Sequence, residues 1–505
     1  MPSRSFLDRL ARTIRERPDD RALTWTRGDL SFGELADLID DAAAALEASV
    51  DPGDRLFVVG AKSADLVALL VAAWRNGHRV VLPSPQLGET TLAALAVQSS
   101  ADRLVRLAAR AAGDIGPGIP ALRVAPVVGA TAVSDPAAAA ALSLTTSGTT
   151  GTPKIVPIPS AASTRFETWA AEAFDLGPGV RVLSYAPLNF DLSLLDVWSA
   201  LSHGAEVVLV DPAEAADPAV LAGLVGGRDV HVVQGVPLLF RLLADSSGSA
   251  AFPSVRDVVL TGDRAPSDLA AHLPELFPNA RVRNVYGSTE TNDSVWHEVA
   301  HEHLRAAEPI PIGRPIPGAE VRVVDATGAV VPEDAAGEGE LWTSTPFQST
   351  GYAVDPGGPP RFAADPAGGP RIFFRTGDLV RRDDAGLLTL RGRQDHEVKV
   401  RGVRTNLAEV EHVLRDAEGV EDAAVLAVGD RVAGQVLHAV VQRRPGLRVD
   451  GLALRSACAQ RLPRTAIPSA FTVTDLPLAR TATGKLDRHA IRTAHIEETP
   501  RVPTA

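Results

Sequence analysis

At 505 residues, 45% hydrophobic and 22% charged, the chain has ordinary globular composition and room for more than one domain. Its net charge of -12 argues against a nucleic-acid partner, since nucleic-acid-binding domains carry basic patches. The single cysteine, Cys458, excludes an internal disulfide, fits a reducing compartment and reads as a small buried hydrophobe.

The N-terminal stretch MPSRSFLDRLARTIRERP spaces Phe6, Leu7, Leu10 and Ile14 as one helix face. Acidic residues interrupt it, so it is not a signal peptide. Ser31 and Glu34 form a capping box ahead of a helix through Ala48. RLFVVG (55–60), SADLVALLVAAWRNG and RVVLP (79–83) then read as strand, helix, strand. That alternation predicts parallel sheets with helices on their faces, an α/β fold. The apolar run LVALLVAAW (66–74) is too short to span a bilayer, so the chain reads as cytoplasmic with no membrane partner.

Residues 354–370 are dense in Pro and Gly and read as a surface loop. GLLTLRGR closes a β-rich unit. Beyond it EVKVRGV reads as one strand and NLAEVEHVLRD as a helix, with Asn406 and Glu409 placed like a cap. AAVLAVG, VLHAVVQ and AFTVTD supply further strands and LALRSACAQRL a further helix, while HIEETPRVPTA reads as a frayed tail. The expected division is a large domain over 1–394 and a small α+β domain over 395–505, about a hundred residues and a normal domain size.

Only four of the 50 basic side chains are lysines: Lys62, Lys154, Lys399 and Lys485. Lys154 ends SLTTSGTTGTPKIVPI (143–158), where Gly148, Gly151 and five hydroxyl residues surround a turn. Glycine admits close approach of an anion, hydroxyls and N–H groups donate to it, and the ammonium neutralises it. A Walker loop is excluded, because Pro153 and Ile155 flank the lysine. NVYGSTE (284–290) and FRTGDL (374–379) set Glu290 and Asp378 in Gly turns after strands, where α/β proteins hold metals and ribose hydroxyls. Lys62 matches no motif and reads as a surface residue.

The order TTSGTTGTPK, YGSTE, RTGDL, GRQDHEVKVRGVR, TATGKLDR resembles the adenylate-forming superfamily of acyl-CoA synthetases, luciferases and nonribosomal peptide synthetase adenylation domains. The resemblance implies a large N-terminal domain of sheets and helices, a small mobile C-terminal domain and an active site between them. It implies that Thr146, Ser147, Gly148, Thr149, Thr150, Gly151 and Lys154 hold the ATP phosphates. Tyr286 would lie against adenine, Thr289 would touch the phosphate, and Glu290 would hold Mg²⁺. Asp378, with Arg393 nearby, would take the ribose hydroxyls, and Asp395 would be the hinge. Lys485 would reach the substrate carboxylate and the α-phosphate, where charge accumulates. Ile155, Ser288, Thr405 and Asn406 depart from the usual pattern without removing a charged or catalytic group.

Within NFDLSLLDVWSALSHGAEVVLVD (189–211), FDLS resembles the stretch of amino-acid-activating members whose Asp pairs with the substrate α-ammonium. Asp191 would have that role, since a buried carboxylate is costly without a cation. The resemblance places Asp191, Leu192, Leu195, Gln234, Val259, Thr261, Val285, Asp293 and Ser294 around the substrate. Asp293 calls for a donor there: an amine, a guanidine or a hydroxyl. TETN (289–292) looks like that of freestanding enzymes that load one amino acid, often proline, onto a separate carrier protein, though Asp293 argues against proline itself. The implied partners are an amino acid and a separate phosphopantetheinylated carrier; whether a small MbtH-like helper is needed is left open by the sequence. The alternatives are an acyl-CoA ligase for a non-amino acid, which Asp191 opposes, and a non-catalytic nucleotide-binding homologue, which Lys485, Glu290 and Asp378 oppose.

Overall fold

The computed structural model describes residues 4–497 apart from 86, 111–117, 130–139, 147–152, 248–250, 307–308, 355–359, 394–396, 401–402, 431–433, 463–465 and 482–483. It forms two compact units: Met1–Val321 with Thr343–Phe374, and Arg322–Trp342 with Arg375–Ala505. The expected boundary at 394/395 falls on residues outside the described set.

The first unit holds a nine-stranded and a six-stranded sheet. In the larger, Arg181–Ser184, Val232–Gly235, Asp257–Leu260 and Arg281–Ser288 run parallel side by side. Val232–Gly235 and Asp257–Leu260 are buried throughout, which is why they read as near-continuous apolar runs rather than alternating ones. Arg281–Ser288 then turns back as an antiparallel hairpin with Asn292–Val299, pairing Ser288 with Asn292. In the smaller sheet Arg55–Val59 pairs in parallel with Arg79–Leu82, joined by helix Ala64–Arg75, as the alternation predicted. Helix Phe32–Glu47 starts on the full Ser31/Glu34 capping box and ends at Ala48. The N-terminal helix Arg4–Glu16 buries Phe6 and Leu10.

In the second unit, Val420–Asp430, Gly434–Arg443 and Ala470–Thr474 form a three-stranded sheet. Helices Leu407–Arg415 and Gly451–Arg461 pack on it through Val410, Leu414, Leu454 and Cys458. Cys458 is fully buried, and burial pushes its thiol up to about 11, an inert core residue as expected.

Four local readings need correction. EVKVRGV is not one strand: Glu397–Val400 and Val403–Asn406 pair antiparallel, with Val400 opposite Val403, and a run of β-branched residues does not by itself show where one strand ends and the next begins. Residues 354–370 contain the short strand Phe362–Ala364, whose Phe362 ring meets Phe374 at 5.1 Å. FRTGDL is not a strand end: it lies inside Ile372–Arg382, where Gly377 takes φ +73° without leaving the strand. The tail is helical as far as Glu497. Among the described residues no helix is long and apolar enough to cross a membrane.

Candidate functional site

In the first unit, Thr146 and Lys154 stand opposite each other as the last and first residues of a hairpin. The loop residues Ser147, Gly148, Thr149, Thr150 and Gly151 lie outside the described residues. Its lysine is placed by the hairpin base: the Lys154 ammonium lies 5.1 Å above the ring of Tyr352. The Tyr352 hydroxyl in turn donates to Glu290 Oε1 at 2.7 Å. Ser349 N–H donates to the Glu290 carbonyl at 2.8 Å, and Ala353 N–H donates to the Ile155 carbonyl at 2.9 Å. Segment 345–353 therefore ties the lysine hairpin to the Glu290 turn.

That turn has a steric reason for its glycine. A Cβ on Gly287 would sit 2.2 Å from the Asn292 carbonyl oxygen. Without it Tyr286 could stay in the strand while Thr289 and Glu290 project from the tip. Tyr286 and Glu290 are buried and Thr289 half-buried.

Tyr352 was not singled out by sequence; the signal available was its scarcity, as one of three tyrosines. Tyr352→Phe is expected to raise the KM for ATP about tenfold, since hydrogen bonds to charged groups are worth roughly 1.5–3 kcal/mol. Its KM for the amino acid should stay near that of the parent. Steady-state kinetics with each substrate varied separates the two.

Gln234, Val259 and Val285, three of the residues expected around the substrate, stand on the parallel strands, and Thr261 follows the end of one of them. Asp191 is buried in a turn after Arg181–Ser184, its carbonyl accepting from Leu194 N–H at 2.9 Å. Gln234 Nε2 donates to the Leu192 carbonyl at 3.1 Å and to Asp196 Oδ1 at 2.9 Å. Leu195, Val259 and Val285 belong to one buried cluster, and Thr261 is buried beside the same strand ends. Ser294 Oγ lies within its own hairpin, 3.0 Å from Thr291 Oγ1 and 3.1 Å from the Asn292 carbonyl, which its one hydroxyl proton can reach in turn.

Asp293 is 8% exposed, and its Oδ2 is buried with no hydrogen-bond partner among the described residues. Burial, with Asp191 of the same sign nearby, pushes its carboxyl from 3.8 up to about 8. The unfolded chain binds this proton less tightly than the fold. The resulting stability is therefore full below about pH 4 and is lost as pH rises to about 8. Asp293→Asn should raise the unfolding midpoint of the ligand-free protein at pH 8 and leave it nearly unchanged at pH 4. Thermal unfolding at the two pH values checks this.

Lys62 is not a surface residue. It is 7% exposed, and its ammonium donates to the carbonyls of Ser184, Tyr185 and Ala186 at 2.7, 2.8 and 3.1 Å. Three bonds use all three of its donors. Burial lowers it to about 7, against the pull of Asp196 and Asp211. Asp196, buried among apolar neighbours on the π-helix Leu194–Ser199, is pushed well up by burial, with Lys62 and Gln234 opposing. The sequence did carry a signal for both: a rare lysine, and an acid inside LSLLDVWSAL. Lys62 fastens the segment that leads into Asp191. Lys62→Met is expected to cost about 1–3 kcal/mol of stability by stranding buried acceptors. Denaturant unfolding measures it.

In the second unit, Asp378 stands directly opposite Arg393 in the register of Ile372–Arg382 and Leu388–Arg393. Asp378 is 9% exposed, and its backbone is fixed by neighbours. Asp378 N–H donates to Thr376 Oγ1 at 3.0 Å, Thr376 Oγ1–H to the Leu341 carbonyl at 2.6 Å, and Gly377 N–H to Glu340 Oε1 at 3.1 Å. Asp395 lies outside the described residues.

Lys485 is exposed on a short closed turn in which Arg480 pairs with Leu486. Thr481 N–H donates to the Lys485 carbonyl at 2.7 Å, and Gly484 takes φ +79°. Both ends of the turn are anchored: Arg480 pairs with Asp422, and Arg488 Nη2 reaches both oxygens of the buried Glu411 at 2.7 and 2.8 Å.

The sequence matches the AMP-binding enzyme family over residues 10–353 and the AMP-binding enzyme C-terminal domain over 409–485. It is 34% identical over 96% of its length to phenyloxazoline synthase MbtB of Mycobacterium sp. (strain MCS), of which it spans 41%. It is 31% identical over 96% of its length to an L-proline–[L-prolyl-carrier protein] ligase of Pseudomonas fluorescens Pf-5, of which it covers 98%. A four-domain nonribosomal peptide synthetase solved with AMP and glycine shares 25% identity and superposes with a TM-score of 0.77, over 97% of this chain and 36% of that one. Motifs, fold and relatives agree that the chain belongs to the AMP-binding enzymes of the adenylate-forming superfamily.

Proposed function

We propose that the protein activates an amino acid with ATP and passes the aminoacyl group to the phosphopantetheine thiol of a carrier protein. The observation that carries the amino-acid reading is the buried Asp191 carboxylate, held in a turn that Lys62 fastens from behind. A buried carboxylate is a strong site for a substrate cation, and an α-ammonium is one. The prolyl-carrier and peptide-synthetase relatives support the same reading.

In the first half-reaction the substrate carboxylate oxygen attacks the α-phosphorus. The bond from that phosphorus to the bridging oxygen breaks, and pyrophosphate leaves with the electron pair. The roles proposed for the residues follow their chemistry. The loop from Thr146 to Lys154 donates to the phosphates. Tyr286 offers a buried ring to adenine. Asp378, with Arg393 beside it in register, accepts from the ribose hydroxyls. Thr289 donates to the reacting phosphate, and Lys485 neutralises the charge that gathers on its oxygens.

Mg²⁺ takes hard oxygen ligands and, beside a polyphosphate, one or two carboxylates. Glu290, held by Tyr352, fits as one such ligand. The ion would screen the negative charge that develops on the phosphate oxygens. In the second half-reaction the thiol sulfur attacks the acyl carbon and AMP leaves. That step calls for the small domain, taken as residues 395–505, to turn about Asp395 and carry Lys485 away. A cytoplasmic enzyme, with or without an MbtH-like helper, completes the reading.

The test is trapping. Purified protein, ATP, Mg²⁺ and hydroxylamine should yield aminoacyl-hydroxamate with its preferred amino acid, and none after chelation of the metal. Hydroxamate formed only from acids lacking an amine would contradict the reading.

A further inference from the structure

We propose that the pocket selects a diamino acid, holding the α-ammonium on Asp191 and a second, side-chain ammonium on the carboxylate of Asp293. This rests on the reading of Asp191 given above.

The argument starts from three buried carboxylates in one neighbourhood: Asp191, Asp196 and Asp293. Asp196 has its own compensation, with Gln234 donating to Oδ1 and the Lys62 charge acting on it. Lys62 is committed to three carbonyls. Asp293 differs. The charged groups acting on it, Asp191 and Asp196, are both of its own sign, and its Oδ2, like Asp196 Oδ2, is buried without a partner among the described residues.

Two neighbouring carboxylates in a dry site oppose each other's ionisation, so an empty pocket keeps Asp293 protonated near neutral pH. A substrate hydroxyl would need only a neutral partner there. A threonine or asparagine would serve it without placing a second acid beside Asp191. A substrate ammonium reverses the balance by placing a cation beside Asp293. Binding then expels the Asp293 proton. A monoamine would leave Asp293 without a cation, which is how a site built for a polar group rejects an analogue lacking it.

The experiment is ATP–pyrophosphate exchange with L-2,3-diaminopropionate, L-2,4-diaminobutyrate, L-ornithine and L-lysine. Each is compared with the monoamine carrying methyl in place of the side-chain ammonium, and L-serine is included. One diamino acid should exceed its methyl counterpart by about 10²-fold or more in kcat/KM, the discrimination expected where a buried charge would otherwise stay unpaired. In Asp293→Asn that preference should shrink to within about tenfold. Should the variant fail to fold, calorimetry on the parent protein in buffers of different ionisation enthalpy gives the same answer. Binding of the preferred diamino acid near pH 7 should release about one proton, after allowance for the amine's own titration. A monoamino acid preferred by the parent protein, or a ranking unmoved in Asp293→Asn, overturns the diamino assignment while leaving amino-acid activation intact. Exchange driven only by acids without an amine overturns both.

Discussion

Lys485→Ala slows aminoacyl-adenylate formation by about 10²–10³-fold, the scale for removing one preorganised donor to a developing oxyanion. The structure gives this lysine the properties the role needs. It stands exposed on a turn closed by the Arg480–Leu486 pair and by Gly484 at φ +79°. Arg480 and Arg488 pin that turn to Asp422 and to the buried Glu411. The two ends of the turn are thus anchored while the Lys485 side chain is exposed. Lys485→Arg is expected to be impaired as well, because the planar fork does not occupy the position of a point charge. Carrier loading from chemically supplied aminoacyl-adenylate should survive in both variants, since the role proposed for Lys485 belongs to the first half-reaction only. Single-turnover kinetics of each half-reaction decides. Equal damage to both steps, or none to either, contradicts the role.

Asp191→Ala lowers kcat/KM for the amino acid by about 10²–10³-fold, because breaking a buried charge pair by removing one partner costs roughly 3–5 kcal/mol. The KM for ATP should hardly move. The groups proposed for adenine and ribose, Tyr286 and Asp378, are on other strands. Asp191→Asn keeps the volume and should lose nearly as much, which separates charge from packing. Steady-state exchange with each substrate varied measures this; equal loss for ATP and amino acid would mean general disruption.

The parts of this site legible in the sequence were those with local spacing. The lysine hairpin, the glycine before Thr289 and Glu290, and the turn bearing Lys485 each sit within ten residues and carry their own turn chemistry. Gly287 is legible for a reason the structure makes steric: a Cβ there collides with the Asn292 carbonyl. What escaped was set by distant chain. Lys62 and the carbonyls it holds are 122 to 124 residues apart, and Tyr352 is 62 residues from Glu290. No periodicity or spacing reports such pairs. Lys62 follows a buried strand and precedes a helix, a place where an isolated lysine reads as solvated. Its scarcity in an arginine-rich chain was the usable sign, and the same sign singled out Lys485. The EVKVRGV stretch failed for the opposite reason: a β-branched run hid two strands, and only pairing distinguishes one strand from an antiparallel pair.

The most direct measurement is amino-acid-dependent ATP–pyrophosphate exchange, in the presence of Mg²⁺, across a panel of amino acids, aryl acids and fatty acids. Exchange driven by one amino acid or a few close analogues, and by no aryl or fatty acid, is the predicted result. Exchange driven by aryl or fatty acids and by no amino acid would contradict the reading of Asp191, and with it the account of this site.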